Sequence, residues 1–374
     1  MRAAIAAVWA AILCIVFLQA GNGLQTNLLS LGADKAFHAG LTGVMMAAYY
    51  VGYCLGPFAG RAAIARLGHV GCVALCMAAA AAIIAVQPFW LTAPAWIVLR
   101  FASGFALSLS YVSVESWINA SVGNAQRGRI FSLYTFAQMV GLTAAQGLLG
   151  LGGGSGLFFL AAALFLVSAL PPLAAYRTAP SGTPPEPLGV LTLFRLAPLG
   201  AGATAMAGLA WALLFTFGPI YAQRRGFDLD GIGLFMGLSM AAGAVLQIPF
   251  GWLSDLAGRR TVIGMLFAGG LLAGLFGSIA HSPAAALAAM TLAGGFSFPI
   301  YAVAVSHAND GIAPGTRVAA AAGLVLLFGL GSVFGPLFAG WSFAAAGASS
   351  FFALFAAMMA AGLLLAVFLK NSAL

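Results

Sequence analysis

Arg100 sits in "WIVLRFASGFALS", a run otherwise built from apolar and small residues. A positive charge at the centre of a membrane-spanning helix costs about 2.5–3.5 kcal/mol on insertion scales, and less near an end, where the side chain can snorkel outward. The series Arg100, Gly104, Leu107, Tyr111 and Glu115 follows helical spacing, so one face carries a guanidinium, a phenol and a carboxylate. Arg100 and Glu115 are separated by roughly 22 Å of helix, so the two charges do not pair directly. Two functions are open to the arginine: binding an acidic group on a solute, or tuning a proton site. The alternative is a guanidinium satisfied by backbone carbonyls and amides. Such amides recur near the N-terminus, where Gln19, Asn22 and Gln25 fall every three residues and Thr26 and Asn27 follow. Uncharged amides at membrane depth must face protein or water. They therefore either line a cavity or tie helix to helix. No Asp or Glu lies deep within an apolar run. The candidates for a proton site are Glu115, Asp34 and His307, each with a structural role as its alternative.

The elements that must position these side chains are membrane helices. The chain has 374 residues, 63% of them hydrophobic and 6% charged. That leaves too little charge to keep a water-soluble protein of this size covered. Apolar runs of ~18 residues or more recur from end to end, which predicts an all-α polytopic membrane protein. The 49 glycines fit helices packed closely in lipid. The net charge of +8 is spread singly or in pairs over short loops, so no nucleic-acid surface is expected. Cys14, Cys54, Cys72 and Cys76 all fall inside apolar runs and read as packing residues. The sequence contains neither a P-loop nor H-E-x-x-H, and His38, His69, His281 and His307 stand apart in it. No metal, cofactor or enzymatic activity is expected.

Twelve spans are predicted, at about 5–29, 38–59, 69–87, 94–118, 129–150, 156–176, 197–221, 231–253, 261–280, 284–307, 317–340 and 349–370. The Pro- and Gly-rich stretch 177–195 divides them into a six-helix half over 1–176 and another over 196–374. With the N-terminus in the cytoplasm, eleven Lys and Arg residues fall on the inner side and only Lys35, Arg224 and Arg225 on the outer side. This asymmetry orients both termini and the linker to the cytoplasm. Residues 1–20 have the outline of a signal peptide, but removing them would leave the halves unmatched, so retention is expected. The halves repeat. A shift of 190 brings Gly104 onto Gly294, Tyr111 onto Tyr301, Ser116 onto Ser306, Asn119 onto Asn309, Arg127 onto Arg317 and Gly141 onto Gly331. A shift of 195 brings Gly56 and Gly60 onto Gly251 and Asp255. Two parallel six-helix repeats form a transporter architecture with a substrate site between them near the midplane.

"GWLSDLAGRR", residues 251–260, falls in the inner loop between the eighth and ninth spans. It resembles the G-x-L-a-D-x-x-G-R-R motif of the major facilitator superfamily, and "GPFAGRAAIARLGH" from Gly56 resembles a degraded copy. "RFASGFALS" from Arg100 resembles the family's fourth-helix pattern, and "GLGSVFGPLFAG" at 329–340 its glycine–proline helix pattern. That second pattern usually lies on the fifth helix of the family's antiporters. Here the fifth span has Gln146 where Pro336 would align, which weakens a reading as an antiporter. "YVSVESWINA", "RGRIFSLYTFAQMVG" and "HANDGI" are similar to the YcaD-like branch in bacterial inner membranes.

The resemblance implies the superfamily fold, two pseudo-symmetric six-helix halves with the first, fourth, seventh and tenth spans around a cavity. It places Gln19, Asn22, Gln25, Arg100 and Tyr111 on one side of that cavity, with Trp211, Phe215, Phe298 and Tyr301 opposite. It also implies that Asp255 latches the inner gate near Arg127 and Arg129, that Arg259 pairs with Asp310, and that Arg66 pairs with Glu115. Gly60, set against Asp255 by the shift of 195, would leave the first half without a latch carboxylate. The expected function is secondary transport of a small organic solute across the bacterial inner membrane by alternating access, coupled to protons, in a monomer within the lipid bilayer. Efflux of amphipathic drugs, uncoupled facilitation and a substrate-sensing receptor are the alternatives.

Overall fold

The protein was analysed as a computed structural model, which describes residues 2–152, 154–180, 188–313 and 316–369. Every long element is helical: α1 (Arg2–Ala36), α2 (Ala39–Val86), α3 (Ala93–Ser121), α4 (Asn124–Leu148), α5 (Gly156–Ala174), the short α6 (Val190–Leu196), α7 (Pro198–Arg224), α8 (Leu229–Ala257), α9 (Arg259–Ser278), α10 (Pro283–Asp310), α11 (Arg317–Ala346) and α12 (Ser350–Phe368). Ten helices among the described residues are long and apolar enough to cross a membrane, with α2 counted once. α2 is two spans. Gly68 lies inside it at φ 69°, ψ 172° and breaks it into two arms. The left-handed φ there is open to glycine at little steric cost. A Cβ at Gly52, Gly56 or Gly60 would run into Phe101, Ser108 or Val112, so the first arm climbs parallel to α3. Beyond Gly68, Cys72 meets Ser113 and Cys76 meets Ser110, so the second arm descends along α3. The 25-residue α4 supplies the fifth span, which completes the twelve.

The same turn recurs in the second half. α8 ends at Ala257, Gly258 takes φ 86°, and α9 starts at Arg259. This corrects the register read from a shift of 195. The turning glycines Gly68 and Gly258 lie 190 apart, so Ala65 corresponds to Asp255 and His69 to Arg259. The helix-favouring "RAAIAR" carries the first arm past Gly60 to the turn, and the single left-handed glycine sets the register. The first half still lacks the carboxylate.

The chain divides into two compact units, residues 1–29 with 51–186, and residues 30–50 with 187–374. In the first, the close approach of α4 to α1 depends on Gly141, where a Cβ would overlap the Val16 carbonyl oxygen. In the second, a Cβ at Gly331 of α11 would overlap the Ala205 carbonyl oxygen of α7. These two glycines are a pair matched by the 190 shift, and they do the same work in each unit. The second unit takes in 30–50 because Gly43 lies so near α11 that a Cβ would be 2.5 Å from the Pro336 carbonyl oxygen. α6 is docked in this unit. Leu188 N donates to Ala319 O at 2.8 Å, and Leu193 is buried with Ala197, Ala308, Ala320 and Leu324.

Candidate functional site

α3 brings Tyr111 and Glu115 to successive turns of one face, and α4 does the same for Tyr134 and Gln138. Tyr134 Oη donates to Glu115 Oε1 at 3.1 Å. Tyr111 Oη donates to Gln19 Oε1 at 2.9 Å, and Gln19 Nε2 donates to Gln138 Oε1 at 2.9 Å. A phenol–amide–amide chain and a phenol–carboxylate pair thus lie one helical turn apart across α1, α3 and α4, as one polar cluster inside one unit. Two further amides cross between helices higher on α1. Gln25 Nε2 donates to Ser103 Oγ at 2.8 Å, and Asn27 Nδ2 donates to Gln146 Oε1 at 2.8 Å. The buried Asn22 Oδ1 and Gln25 Oε1 atoms accept no hydrogen bond. Acceptors held dry without a donor are expensive, so such atoms call for explanation by water or a bound group. Arg100 is 1% exposed and lies one turn before Ser103 on α3.

Rings dominate the corresponding part of the second unit. Trp211 on α7 lies 4.6 Å from Phe298 on α10, 5.5 Å from Phe328 on α11 and 5.6 Å from Phe215. Phe215 stacks on Phe298 at 5.6 Å, and Tyr301 meets Phe328 at 5.1 Å. Trp211 Nε1 is buried without a hydrogen-bond partner.

The α8–α9 turn of the second unit concentrates charge. Arg259 Nη1 donates to Asp310 Oδ1 at 2.7 Å and to the Ser306 carbonyl oxygen, and Nη2 lies 3.6 Å from Asp255 Oδ1. Arg259–Asp310 is the within-half pair implied by the resemblance. Arg260 donates to the carbonyls of Ala366 and Val367 at the end of α12, where a cation also favours the helix dipole. Arg259, Arg260, Thr261, His307 and Asp310 edge an open hollow of about 490 Å³.

The first unit builds its counterpart from different chemistry. His69 is 2% exposed, with Nδ1 3.0 Å from Pro180 O and Nε2 3.0 Å from Ser116 Oγ. A carbonyl can only accept, so Nδ1 carries the proton. Ser116 and Ser306 are matched by the 190 shift. An imidazole thus occupies the place held by a guanidinium in the other unit. Glu115 is met by Tyr134 and not by Arg66, which is exposed. Arg129 is exposed on α4, and the Arg127 side chain lies outside the described residues. Asp34 accepts a forked pair from Arg224, Nη2 to Oδ1 at 2.6 Å and Nε to Oδ2 at 3.2 Å, both within the second unit.

Sequence reasoning does not single out Tyr134, Gln138, Ser103, Gln146, Phe328 or His69 as site residues. A Tyr and a Gln four apart on α4 match the spacing of Tyr111 and Glu115, and that is the available signal for the cluster.

A family profile described as Major Facilitator Superfamily matches residues 11–228 and 200–373. An uncharacterized MFS-type transporter of Yersinia pestis is 27% identical over 304 residues, covering 79% of this chain and 77% of the relative. An uncharacterized MFS-type transporter YcaD of Salmonella enteritidis is 27% identical over 314 residues, covering 79% and 78%. Among solved structures, the nucleoside transporter NupG superposes with a TM-score of 0.73 at 15% identity, covering 96% of each chain. The D-xylose-proton symporter superposes with a TM-score of 0.74 at 15% identity, covering 96% of each. The profile matches span nearly the whole chain, and the twelve spans fit them. The chain is therefore a multi-pass membrane transporter and not an enzyme, and it belongs to the Major Facilitator Superfamily.

Proposed function

We propose that this protein moves a small organic solute across the bacterial inner membrane by alternating access, coupled to protons through Glu115, with both termini cytoplasmic. The observation that carries the coupling is the polar cluster of the first unit. Tyr111 and Glu115 are one turn apart on α3, and their partners Gln138 and Tyr134 are one turn apart on α4, Tyr111 reaching Gln138 through Gln19. A proton gained or lost at Glu115 changes what Tyr134 can donate to. That change falls one helical turn from the amides that would hold the solute. A symporter among the structural relatives supports protons as the driving ion.

Gln19, Asn22, Gln25, Arg100 and Tyr111 are the first unit's solute contacts in this reading, and Trp211, Phe298 and Tyr301 the second unit's. Asp255 is the inner latch in this reading, and Arg259 pairs with Asp310 beside it within the second unit. Asp34 and His307 are less suited than Glu115 to carry the proton, because Asp34 is already neutralised by the Arg224 fork and His307 lies at the open hollow of the α8–α9 turn.

The test is proton flux in proteoliposomes loaded with pyranine and challenged with D-xylose, nucleosides and aromatic acids. At least one solute is expected to change the internal pH, and Glu115→Gln to abolish that change while solute binding persists. Solute uptake by Glu115→Gln that still follows an imposed pH gradient refutes the coupling. For the latch, unchanged inward and outward populations in Asp255→Asn would refute the role of Asp255.

A further inference from the structure

We infer that the ring cluster of the second unit receives a flat, uncharged aromatic ring of the solute, with Trp211 Nε1–H as its donor to a ring nitrogen or carbonyl. This rests on the proposal that these helices bind the transported solute, and it names the class of solute.

Trp211, Phe215, Phe298, Tyr301 and Phe328 converge from α7, α10 and α11 with neighbouring centroids 4.6–5.6 Å apart. None carries a charge at neutral pH, so the surface they make is matched by a neutral partner. Phe215 and Phe298 are nearly parallel, at 17°, while Trp211 stands at 63° to Phe298 and 83° to Phe328. Parallel rings extend by adding another ring, and edge-on rings close its sides. Phe298 is a fixed floor. It is 3% exposed, and a Cβ at Gly243 of α8 would overlap it, so the glycine leaves it just the room it fills. The other rings are half-buried.

The indole is the second observation. A buried Trp N–H usually finds an acceptor, and Trp211 Nε1 has none. A solute that carries an acceptor at the rim of its ring supplies what the protein lacks. Aromatic clusters also hold quaternary ammonium ions. Here no carboxylate belongs to the cluster, which disfavours a cation.

The experiment compares matched solutes on the purified full chain by thermal shift: nicotinamide with cyclohexanecarboxamide, uracil with dihydrouracil, benzoate with cyclohexanecarboxylate, and tetramethylammonium alone. The expected result is stabilisation by aromatic members and not by their saturated partners. Trp211→Phe, which keeps a ring and removes the donor, should weaken nicotinamide about tenfold, the loss of one buried hydrogen bond. Equal stabilisation by saturated partners, stronger stabilisation by tetramethylammonium, or no stabilisation by any ring compound overturns the inference. So does unchanged nicotinamide affinity in Trp211→Phe. The wild-type comparison stands even if that variant fails to fold. Flux of the same compounds into proteoliposomes separates the two readings. Uptake of saturated compounds without ring preference removes the ring site and leaves transport. Ring binding with no flux of any compound leaves the site and removes transport of these solutes.

Discussion

Gly264 and Gly274 lie on the same helix, α9, ten residues apart, and their surroundings predict opposite outcomes for one substitution. A Cβ at Gly264 would have nothing within 4 Å. At Gly274 it would lie 2.8 Å from Ala356 Cβ, 2.8 Å from Ala356 N and 2.9 Å from Ala356 Cα. Carbon atoms in contact settle at about 3.5–4.0 Å, so α9 and α12 would have to separate by the better part of an ångström. Two of the obstructing atoms are backbone, which no side-chain rotation relieves. Exchanging Gly for Ala inside a helix gains about 0.5–1 kcal/mol in either position. Overpacking a close contact costs about 1–3 kcal/mol. Gly264→Ala should therefore be stabilising, and Gly274→Ala should be net destabilising by about 1–2 kcal/mol. For a body of this size that is a fall in Tm of about 2–8 °C, against a rise of about 1–4 °C for Gly264→Ala. Tryptophan fluorescence during thermal unfolding in detergent reads both. The reasoning about helix approach is refuted if the two variants shift Tm in the same direction.

Tyr111→Phe removes one donor from Gln19 while Gln138 still accepts from it. Because hydrogen bonds between membrane helices average about 0.6 kcal/mol, a small loss of Tm is expected, together with a clear change in the pH dependence of transport. Unaltered pH dependence would separate Tyr111 from the action of Glu115. Arg224→Lys cannot reproduce the two-pronged contact with Asp34, so it should lose stability nearly as far as Arg224→Ala does, by about 1 kcal/mol. Full retention by the lysine variant would show that charge alone matters there. His69→Leu leaves Pro180 O and Ser116 Oγ without their partner, at about 1–3 kcal/mol. Limited proteolysis around residues 176–180 should accelerate relative to wild type, and equal cleavage rates would count against His69 as the tie.

Much of the architecture is legible in the sequence because a bilayer enforces it. Apolar runs must be about as long as the bilayer is thick, and scattered arginines orient them. The 190-residue repeat can be read because close helix contacts admit only small residues, and Gly141 and Gly331 each meet a carbonyl of the first helix of their half. The shift of 195 misleads for a local reason. It matches motif letters across "GPFAG", whereas register is set by the one backbone position in a left-handed conformation. The site is half legible. Gln19, Tyr111 and Glu115 stand out as rare polar groups in apolar surroundings, as do Trp211 and Phe298 by ring type. Tyr134 and Gln138 do not, because α4 is the most polar of the spans and its useful face is distinguished only once α1 and α3 are beside it. The family resemblance implies an Arg66–Glu115 pair, but the tyrosine reaches the carboxylate from a neighbouring helix.

Gly68 and Gly258 each accomplish a full change of chain direction with a single residue. Such a turn contains no slack. When one arm is pushed along its axis, the other has to follow, because there is no loop to absorb the displacement. Each pair of spans joined this way therefore behaves as a stiff lever with its elbow at the turning glycine. Lengthening either elbow by a few flexible residues would uncouple the arms while leaving every helix, and every side chain discussed above, in place.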